Sequence, residues 1–256
     1  MMSSALTRLA HRHHELDTAG ARAARLEVRR LRARLALSAG RFDRDWVWLV
    51  RRELRVLEQV IGDVVDADGL GCWVAAQRLD QRDEAGKAEL LAELAAERAR
   101  AHRRLVALVE SARYERMVQD LRRPYLAPRH LDERVGKQWR ALRRLVRTID
   151  CVPGDEQRRQ LAVRIDRARH GAELEPAGRR FAEALAKLRL ALDGLQEAAL
   201  AQGWLRHAAD GAACRVDLVA GQLLERARQL EAERWIGWQD RWDRARRPAL
   251  RAWLEH

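Results

Sequence analysis

The sequence has little proline, few aromatic residues other than tryptophan, and almost no lysine. Five prolines in 256 residues leave long stretches without helix breakers. No alternation of Val, Ile and Thr typical of a strand occurs. The absence of any run of about 18 apolar residues excludes a membrane-spanning helix. The three cysteines, Cys72, Cys151 and Cys214, are odd in number and widely spaced, which argues against a disulfide framework and predicts buried, reduced thiols.

The abundant residues are alanine, leucine, arginine and glutamate, a composition that favours an all-α fold. Apolar residues make up 47% of the chain, enough for a sizeable core. The N-terminus shows no apolar segment of a secretory signal, so we expect a cytoplasmic protein. Apolar periodicity predicts helices near residues 4–16, 21–40, 43–65, 67–82, 84–122, 131–149, 155–174, 178–201, 209–232 and 233–246.

A mid-chain boundary is predicted at the segment RRPYLAPRH, where Pro124 and Pro128 interrupt the helical pattern. This boundary divides the chain into a first helical half, residues 1–128, and a second helical half, residues 129–256.

The charge is strongly positive, with a net value of +12 and an isoelectric point near 10.9. The excess is almost entirely arginine, since only Lys87, Lys137 and Lys187 are lysine. The planar fork of arginine suits phosphate and carboxylate better than an ammonium group does. Such a chain implies an acidic partner, which is nucleic acid, a membrane surface or another polyanion.

The segment ARAARLEVRRLRARLALS, from Ala21 to Ser38, combines this charge with helical order. Four apolar residues fall on one arc of the predicted helix, as on a helix packed against a core: Ala24, Val28, Leu31 and Leu35. Four arginines fall on a neighbouring arc with no acid among them: Arg22, Arg25, Arg29 and Arg32. A solvated charged face and an anion-binding stripe both fit this pattern.

A second basic helix repeats this arrangement. A shift of 137 residues places the first basic helix on RQLAVRIDRARHGAEL, which begins at Arg159. In this frame Arg159 takes the place of Arg22, and Arg169 that of Arg32. The match predicts a duplicated helical unit, with the two basic helices facing one shared cavity.

The sequence resembles the CHAD family, the conserved histidine α-helical domain, in four motifs. The first matches RAARLEVRRLR, with Arg25, Arg29, Arg30, Leu31 and Arg32 in register. The second matches IGDVVDAD, with Gly62, Asp66 and Asp68 in register. The third matches LVALVESARY, and the fourth matches RQLAVRIDRARHGAE, with Arg169 and Glu173 in place.

The resemblance implies a fold of two pseudo-symmetric four-helix-bundle halves with basic helices around a central groove or pore. It also implies binding of inorganic polyphosphate, often at polyphosphate granules. The sequence departs from the family pattern at six positions. Arg22 and Arg159 replace histidines, and Val65 and Ala162 replace arginines. Asp166 replaces a lysine, and His170 replaces a tyrosine.

We therefore predict a protein that binds polyphosphate, with nucleic acid as a competing polyanion, no membrane partner and no cofactor. The predicted contacts lie on the two basic helices: Arg22, Arg25, Arg29, Arg30, Arg32, Arg159, Arg164, Arg167, Arg169 and His170. Asp166 interrupts the second stripe, where pairing with Arg169 or Arg159 would withdraw their donors. We expect the first stripe to dominate binding and Asp166→Lys to tighten it.

Other motifs give weaker signals. The run His11–His14 suits a metal but has no supporting Cys or carboxylate set, so we predict a solvent-exposed segment. The sequence DADG at Asp66–Gly69 lacks the bidentate carboxylate of a calcium loop, because Gln77 stands twelfth. Trp235, Trp238 and Trp242 are predicted to pack in the core, with base stacking as the alternative. Five more tryptophans are also predicted to pack: Trp46, Trp48, Trp73, Trp139 and Trp204.

No Ser-His-Asp set, no cysteine beside a histidine and no glycine-rich phosphate loop is recognisable, so we predict no enzyme activity. Two other functions stay open from the residues alone. One is nucleic-acid binding through the same basic helices, and the other is a structural adaptor whose basic faces contact proteins.

Overall fold

The computed structural model describes residues 18–122, 130–210 and 214–254. Across these ranges the chain is all-α and contains no strand, which confirms the predicted fold class. The helices in chain order are α1 Thr18–Ser38, α2 Arg44–Ala76, α3 Glu84–Val109, α4 Ala112–Asp120, α5 Leu131–Val146, α6 Asp155–Ala172, α7 Arg179–Ala209 and α8 Cys214–Ala245. Short 3-10 turns cover Ala39–Arg41, Pro176–Gly178, Pro248–Leu250 and Ala252–Leu254.

The helix boundaries differ from the sequence prediction in three helical segments. Helix α2 continues through the predicted break at residues 65–67, and α8 continues through the one at 232–233. In contrast, the predicted helix 84–122 is interrupted at Ser111, whose backbone is extended and whose Oγ accepts a hydrogen bond from the Tyr114 amide. Serine at this position caps α4, because its hydroxyl oxygen accepts a hydrogen bond from an amide of the first helical turn. The predicted helix 4–16 lies outside the described residues.

Two compact units make up the described chain. The first contains the described residues of Met1–Val28, Arg52–Arg123 and Glu197–Leu230. The second contains those of Arg29–Arg51, Pro124–Gln196 and Glu231–His256. The predicted halves, residues 1–128 and 129–256, describe a duplication along the sequence and not these two units, so they stay a prediction.

Each unit has an apolar core built from several helices. In the first unit, α2, α3, α7 and α8 bury a cluster that includes Val74, Leu90, Leu94, Leu205, Val219 and Leu223. In the second, α5, α6, α7 and α8 bury a cluster that includes Val135, Leu142, Leu161, Ile165, Phe181, Leu185 and Leu192. Because long helices with one apolar face need such a partner surface, these cores fix the directions of the polar faces.

The tryptophans of α8 lie in the second core, as predicted. Trp235 and Trp238 are buried and stacked, with ring centroids 5.1 Å apart. Trp242 packs 5.1 Å from buried Trp139. Buried rings offer no stacking surface to bases, so Trp235 and Trp238 give no support to nucleic-acid binding. The prediction that Trp48 packs was wrong, because this residue is 60% exposed.

The prediction of buried cysteines was also wrong for two of the three residues. Cys72 and Cys151 are free thiols, as predicted, but both are exposed. In the part of the chain that the structure describes, no helix is both long and apolar enough to cross a membrane.

Gly171 allows a close contact between helices in the second unit. A methyl group added there would lie 2.4 Å from Val135 Cγ2 and 3.1 Å from Leu37 Cδ1. We expect Gly171→Ala to lower the free energy of unfolding by about 1–2 kcal/mol, because overpacking outweighs the gain in helix propensity. Gly69→Ala is the matched control, since no atom lies within 4 Å of its added methyl. Chemical denaturation should show a small gain for Gly69→Ala; an equal gain for Gly171→Ala would contradict the close contact.

Candidate functional site

The first basic helix packs as its periodicity predicts. Its apolar arc is buried, with exposed fractions of 3% or less at Ala24, Val28, Leu31 and Leu35. The neighbouring arginine arc is therefore held on a rigid, packed helix. Of the ten predicted contacts, Arg22 and Arg25 belong to the first unit and the other eight to the second.

Arg25 is held in an ion pair within the first unit. Its Nη1 donates to Asp66 Oδ1 at 2.7 Å, and Asp66 belongs to the motif IGDVVDAD. Gly62 leaves room for this guanidinium, because a methyl group there would lie 3.3 Å from Arg25 Nη2. Asp68 of the same motif pairs with Arg98 at 2.9 Å. All of these motif residues lie inside α2, which excludes the loop geometry of a calcium site.

Arg29 belongs to a chain of alternating charges in the second unit. Arg29 Nη1 lies 3.1 Å from Asp193 Oδ1, and Asp193 also pairs with Arg189 at 2.6 Å. Arg189 then reaches Asp166 at 3.2 Å. The arginine between the two carboxylates is only 4% exposed. A buried cation needs opposite charges around it, so these two acids neutralise Arg189.

This network corrects the expectation for Asp166. Its partner is Arg189, on α7, and not Arg169 or Arg159. A lysine at position 166 would bring a second cation to the buried guanidinium. We therefore expect Asp166→Lys to destabilise the fold instead of tightening polyanion binding.

The two basic helices meet at Glu173, just after the end of α6. Arg169 Nε lies 3.0 Å from one carboxylate oxygen. His170 Nδ1 lies 2.8 Å from the other, and Arg30 Nε from α1 lies 3.9 Å from that second oxygen. His170 is fully buried, and its ring is therefore not accessible to a ligand in solvent.

The position of Glu173 changes its titration. Burial alone would raise the pKa of its carboxyl group, but the hydrogen bond with His170 and the charges of His170, Arg169 and Arg30 outweigh burial and lower the pKa from 4.5 to about 2. A lowered carboxyl pKa adds stability that is present above pH 4.5 and is lost as the pH falls toward 2.

We expect Glu173→Gln to remove this pH-dependent stability. The shift corresponds to about 3 kcal/mol at most, and solvent screening of a partly exposed side chain reduces this to roughly 1–2 kcal/mol. Denaturation of wild type and variant between pH 5 and pH 2 would measure the difference, with Glu233→Gln, an exposed site on α8, as the control. Parallel profiles for all three proteins would contradict this role of Glu173.

A shallow groove of about 350 Å³ lies beside this cluster. Its lining includes Arg169, Glu173, Pro176, Arg179 and Glu183. The groove thus places two members of the Glu173 cluster, Arg169 and Glu173 itself, against solvent-accessible space next to a second cation, Arg179. Among the described residues, no group of three or more His, Cys, Asp or Glu side chains could hold a metal ion. The run His11–His14 lies outside the described residues.

Comparison with known proteins identifies the family of this chain. Residues 3–206 match the family model described as the CHAD domain. The chain belongs to the CHAD domain family. Among curated proteins, no match was found by sequence.

Two solved structures have the same fold as this CHAD domain. PptA from Streptomyces chartreusis matches with a TM-score of 0.77 at 20% identity, covering 94% of this chain and 95% of its own. The CHAD domain from the plant Ricinus communis matches with a TM-score of 0.65 at 19% identity, covering 98% of this chain and 85% of its own. At these identities the likeness shows the fold.

The remaining predicted contacts of this CHAD domain differ in their surroundings. Arg159 is exposed and pairs with Glu156 at 2.9 Å. Arg22 is exposed and Arg32 is half-buried. Arg164 and Arg167 are half-buried on α6. The two arginines at the family's histidine positions, Arg22 and Arg159, are thus both on exposed surfaces.

Sequence reasoning missed Arg51, on α2 of the second unit. Burial, followed by the charges of Arg51 and Arg164, lowers the pKa of Arg167. Arg51 therefore lies close enough to the second basic helix for its charge to repel that of Arg167. The only signal in the sequence was helical periodicity. It places Arg51, which follows buried Val50, on an exposed side of α2.

Proposed function

We propose that this CHAD domain binds inorganic polyphosphate through arginines of its basic helices and does not act as an enzyme. The observation that carries the proposal is the meeting of Arg30 from α1 and Arg169 from α6 at one carboxylate, Glu173. Two basic helices that are distant in sequence thus direct guanidinium groups to the same place. The family membership supports this ligand, because the resemblance implies polyphosphate binding.

The chemistry of the arginines suits a phosphate chain. Polyphosphate has a charged oxygen on each phosphate and no bases, so its binder needs cationic forks and no base-reading edge. The side chains of Arg30 and Arg169 are 29% and 15% exposed, and that of Glu173 is 25% exposed. Ion pairs at such partly exposed sites are weak, so a chain of phosphates can replace the carboxylate as the acceptor. Release of counterions from the chain would add to the affinity, as it does for nucleic-acid backbones.

The proposal also predicts a cellular location, and it differs from two other functions in the ligand that the protein would bind. Binding to polyphosphate would place the protein in the cytoplasm at polyphosphate granules. A nucleic-acid binder would prefer DNA or RNA to polyphosphate. A structural adaptor would bind neither polyanion at physiological salt.

A titration with sodium polyphosphate fractionated by length tests the proposal. We expect binding at physiological salt, with affinity that falls as salt increases. Single-stranded DNA of matched charge should displace polyphosphate poorly, whereas polyphosphate should displace the DNA. Incubation with polyphosphate should release no phosphate. Stronger binding of DNA than of polyphosphate would favour the nucleic-acid function instead.

A further inference from the structure

A second group of arginines in the second unit does not pair with Glu173. It consists of Arg51 on α2 and of Arg164 and Arg167, which are one turn apart on α6. Within the described part of the chain, none of the three forms an ion pair or a side-chain hydrogen bond. Other arginines of this unit have a carboxylate partner, among them Arg29, Arg30, Arg158, Arg159, Arg169, Arg189 and Arg246.

Partial burial distinguishes the two arginines of α6 from ordinary solvated ones. Arg140, Arg144 and Arg147 also have no carboxylate partner among the described residues, but they are exposed. Arg164 and Arg167 are half-buried, and the Nε of Arg164 is shielded from solvent without a hydrogen-bond acceptor. A shielded donor without an acceptor is costly.

The charges in this group repel one another. The pKa of Arg167 is lowered by burial and then by the charges of Arg51 and Arg164. An anion placed among the three guanidinium groups would supply acceptors and offset this repulsion. No described carboxylate does so.

The departures from the family motif explain why such a group matters here. On α6, Ala162 and Asp166 stand where the motif has an arginine and a lysine. Asp166 forms an ion pair with buried Arg189, and exposed Arg159 forms one with Glu156. The motif positions of this helix therefore offer few cations to a ligand.

We propose that Arg51, Arg164 and Arg167 form an additional phosphate-binding subsite, in which cations outside the motif replace those that the second basic helix lacks. This inference rests on the proposed function, because the ligand is a segment of the polyphosphate chain. Arg164 and Arg167 supply two forks from one helix, and Arg51 supplies a third from α2.

Arg51→Gln tests the subsite with a matched control. Arg44→Gln removes the same charge from the same helix and the same unit, at an exposed residue without a carboxylate partner among the described residues. In a titration with length-fractionated polyphosphate, we expect Arg51→Gln to weaken binding about fivefold, and Arg44→Gln less than twofold.

The pair Arg164→Gln and Arg167→Gln tests the other half of the subsite. We expect binding to weaken roughly tenfold, and Arg51→Gln added to this pair to have little further effect, because residues of one subsite are coupled. Arg144→Gln with Arg147→Gln removes the same number of charges from α5 and should change binding much less. By the counterion relation for nucleic-acid backbones, the slope of log Kd against log salt should become shallower by about one unit for each arginine–phosphate pair that a variant removes.

Unfolding without ligand separates binding from a structural role. Arg167→Gln relieves repulsion, so its thermal midpoint should be equal to or higher than that of the wild type. A lower midpoint would indicate a structural role and overturn the inference. If the wild-type protein binds polyphosphate but Arg51→Gln and Arg44→Gln lose equal affinity, the subsite alone is overturned. A wild-type protein that binds no polyphosphate would overturn both proposals.

Discussion

Replacing Arg189 with methionine should lower the free energy of unfolding by about 3–5 kcal/mol, because it breaks a buried ion pair from one side. The Arg189 side chain lies 3.2 Å from the Asp166 carboxylate and 2.6 Å from that of Asp193. Without the guanidinium group, Asp166 keeps its charge in a largely buried position and has no cation to pair with. Urea denaturation followed by circular dichroism would measure the decrease in stability.

Two further variants make this result specific. Arg180→Met changes an exposed arginine of the same helix and should shift the unfolding free energy by no more than about 0.5 kcal/mol. Asp166→Asn added to Arg189→Met should recover part of the stability, since it removes the carboxylate left without a cation. A decrease for Arg189→Met no greater than that for Arg180→Met would show that the ion-pair network does not support the fold.

Replacing both Arg30 and Arg169 with glutamine should weaken polyphosphate binding by about 2 kcal/mol, or roughly thirtyfold. Two effects combine here. The phosphate chain has two fewer cations to pair with, and Glu173 keeps its negative charge at the site with only His170 beside it. Fluorescence or calorimetric titration with length-fractionated polyphosphate would measure the change.

Glu173→Gln provides the opposite arm of this experiment. It removes the negative charge that competes with phosphate for Arg30 and Arg169, so binding should tighten by about 1 kcal/mol. Arg144→Gln with Arg147→Gln is the control for the removal of two charges, and circular dichroism would show whether each variant is folded. If the control weakens binding as much as the Arg30 and Arg169 variant does, net charge and not this site governs binding.

The sequence alone determined the fold class and the basic helices. Apolar residues at helical spacing, with few prolines, predict helices almost throughout, and a packed helix must bury its apolar arc. The arc of Ala24, Val28, Leu31 and Leu35 is therefore buried as predicted. The arginine arc follows from the same spacing, because the angle between two residues of a helix depends only on their separation along the chain.

Only the tertiary structure decided which arginines have a carboxylate partner from another helix. Arg25 and Arg29 belong to one stripe, but Asp66 and Asp193 reach them from residues 41 and 164 positions further along the chain. Helical periodicity describes one helix at a time and contains no information about these partners. The same limit applies to Arg51, whose charge acts on Arg167 from another helix. It also applies to Asp166, whose role changes from a repulsive charge in a binding stripe to the partner of buried Arg189.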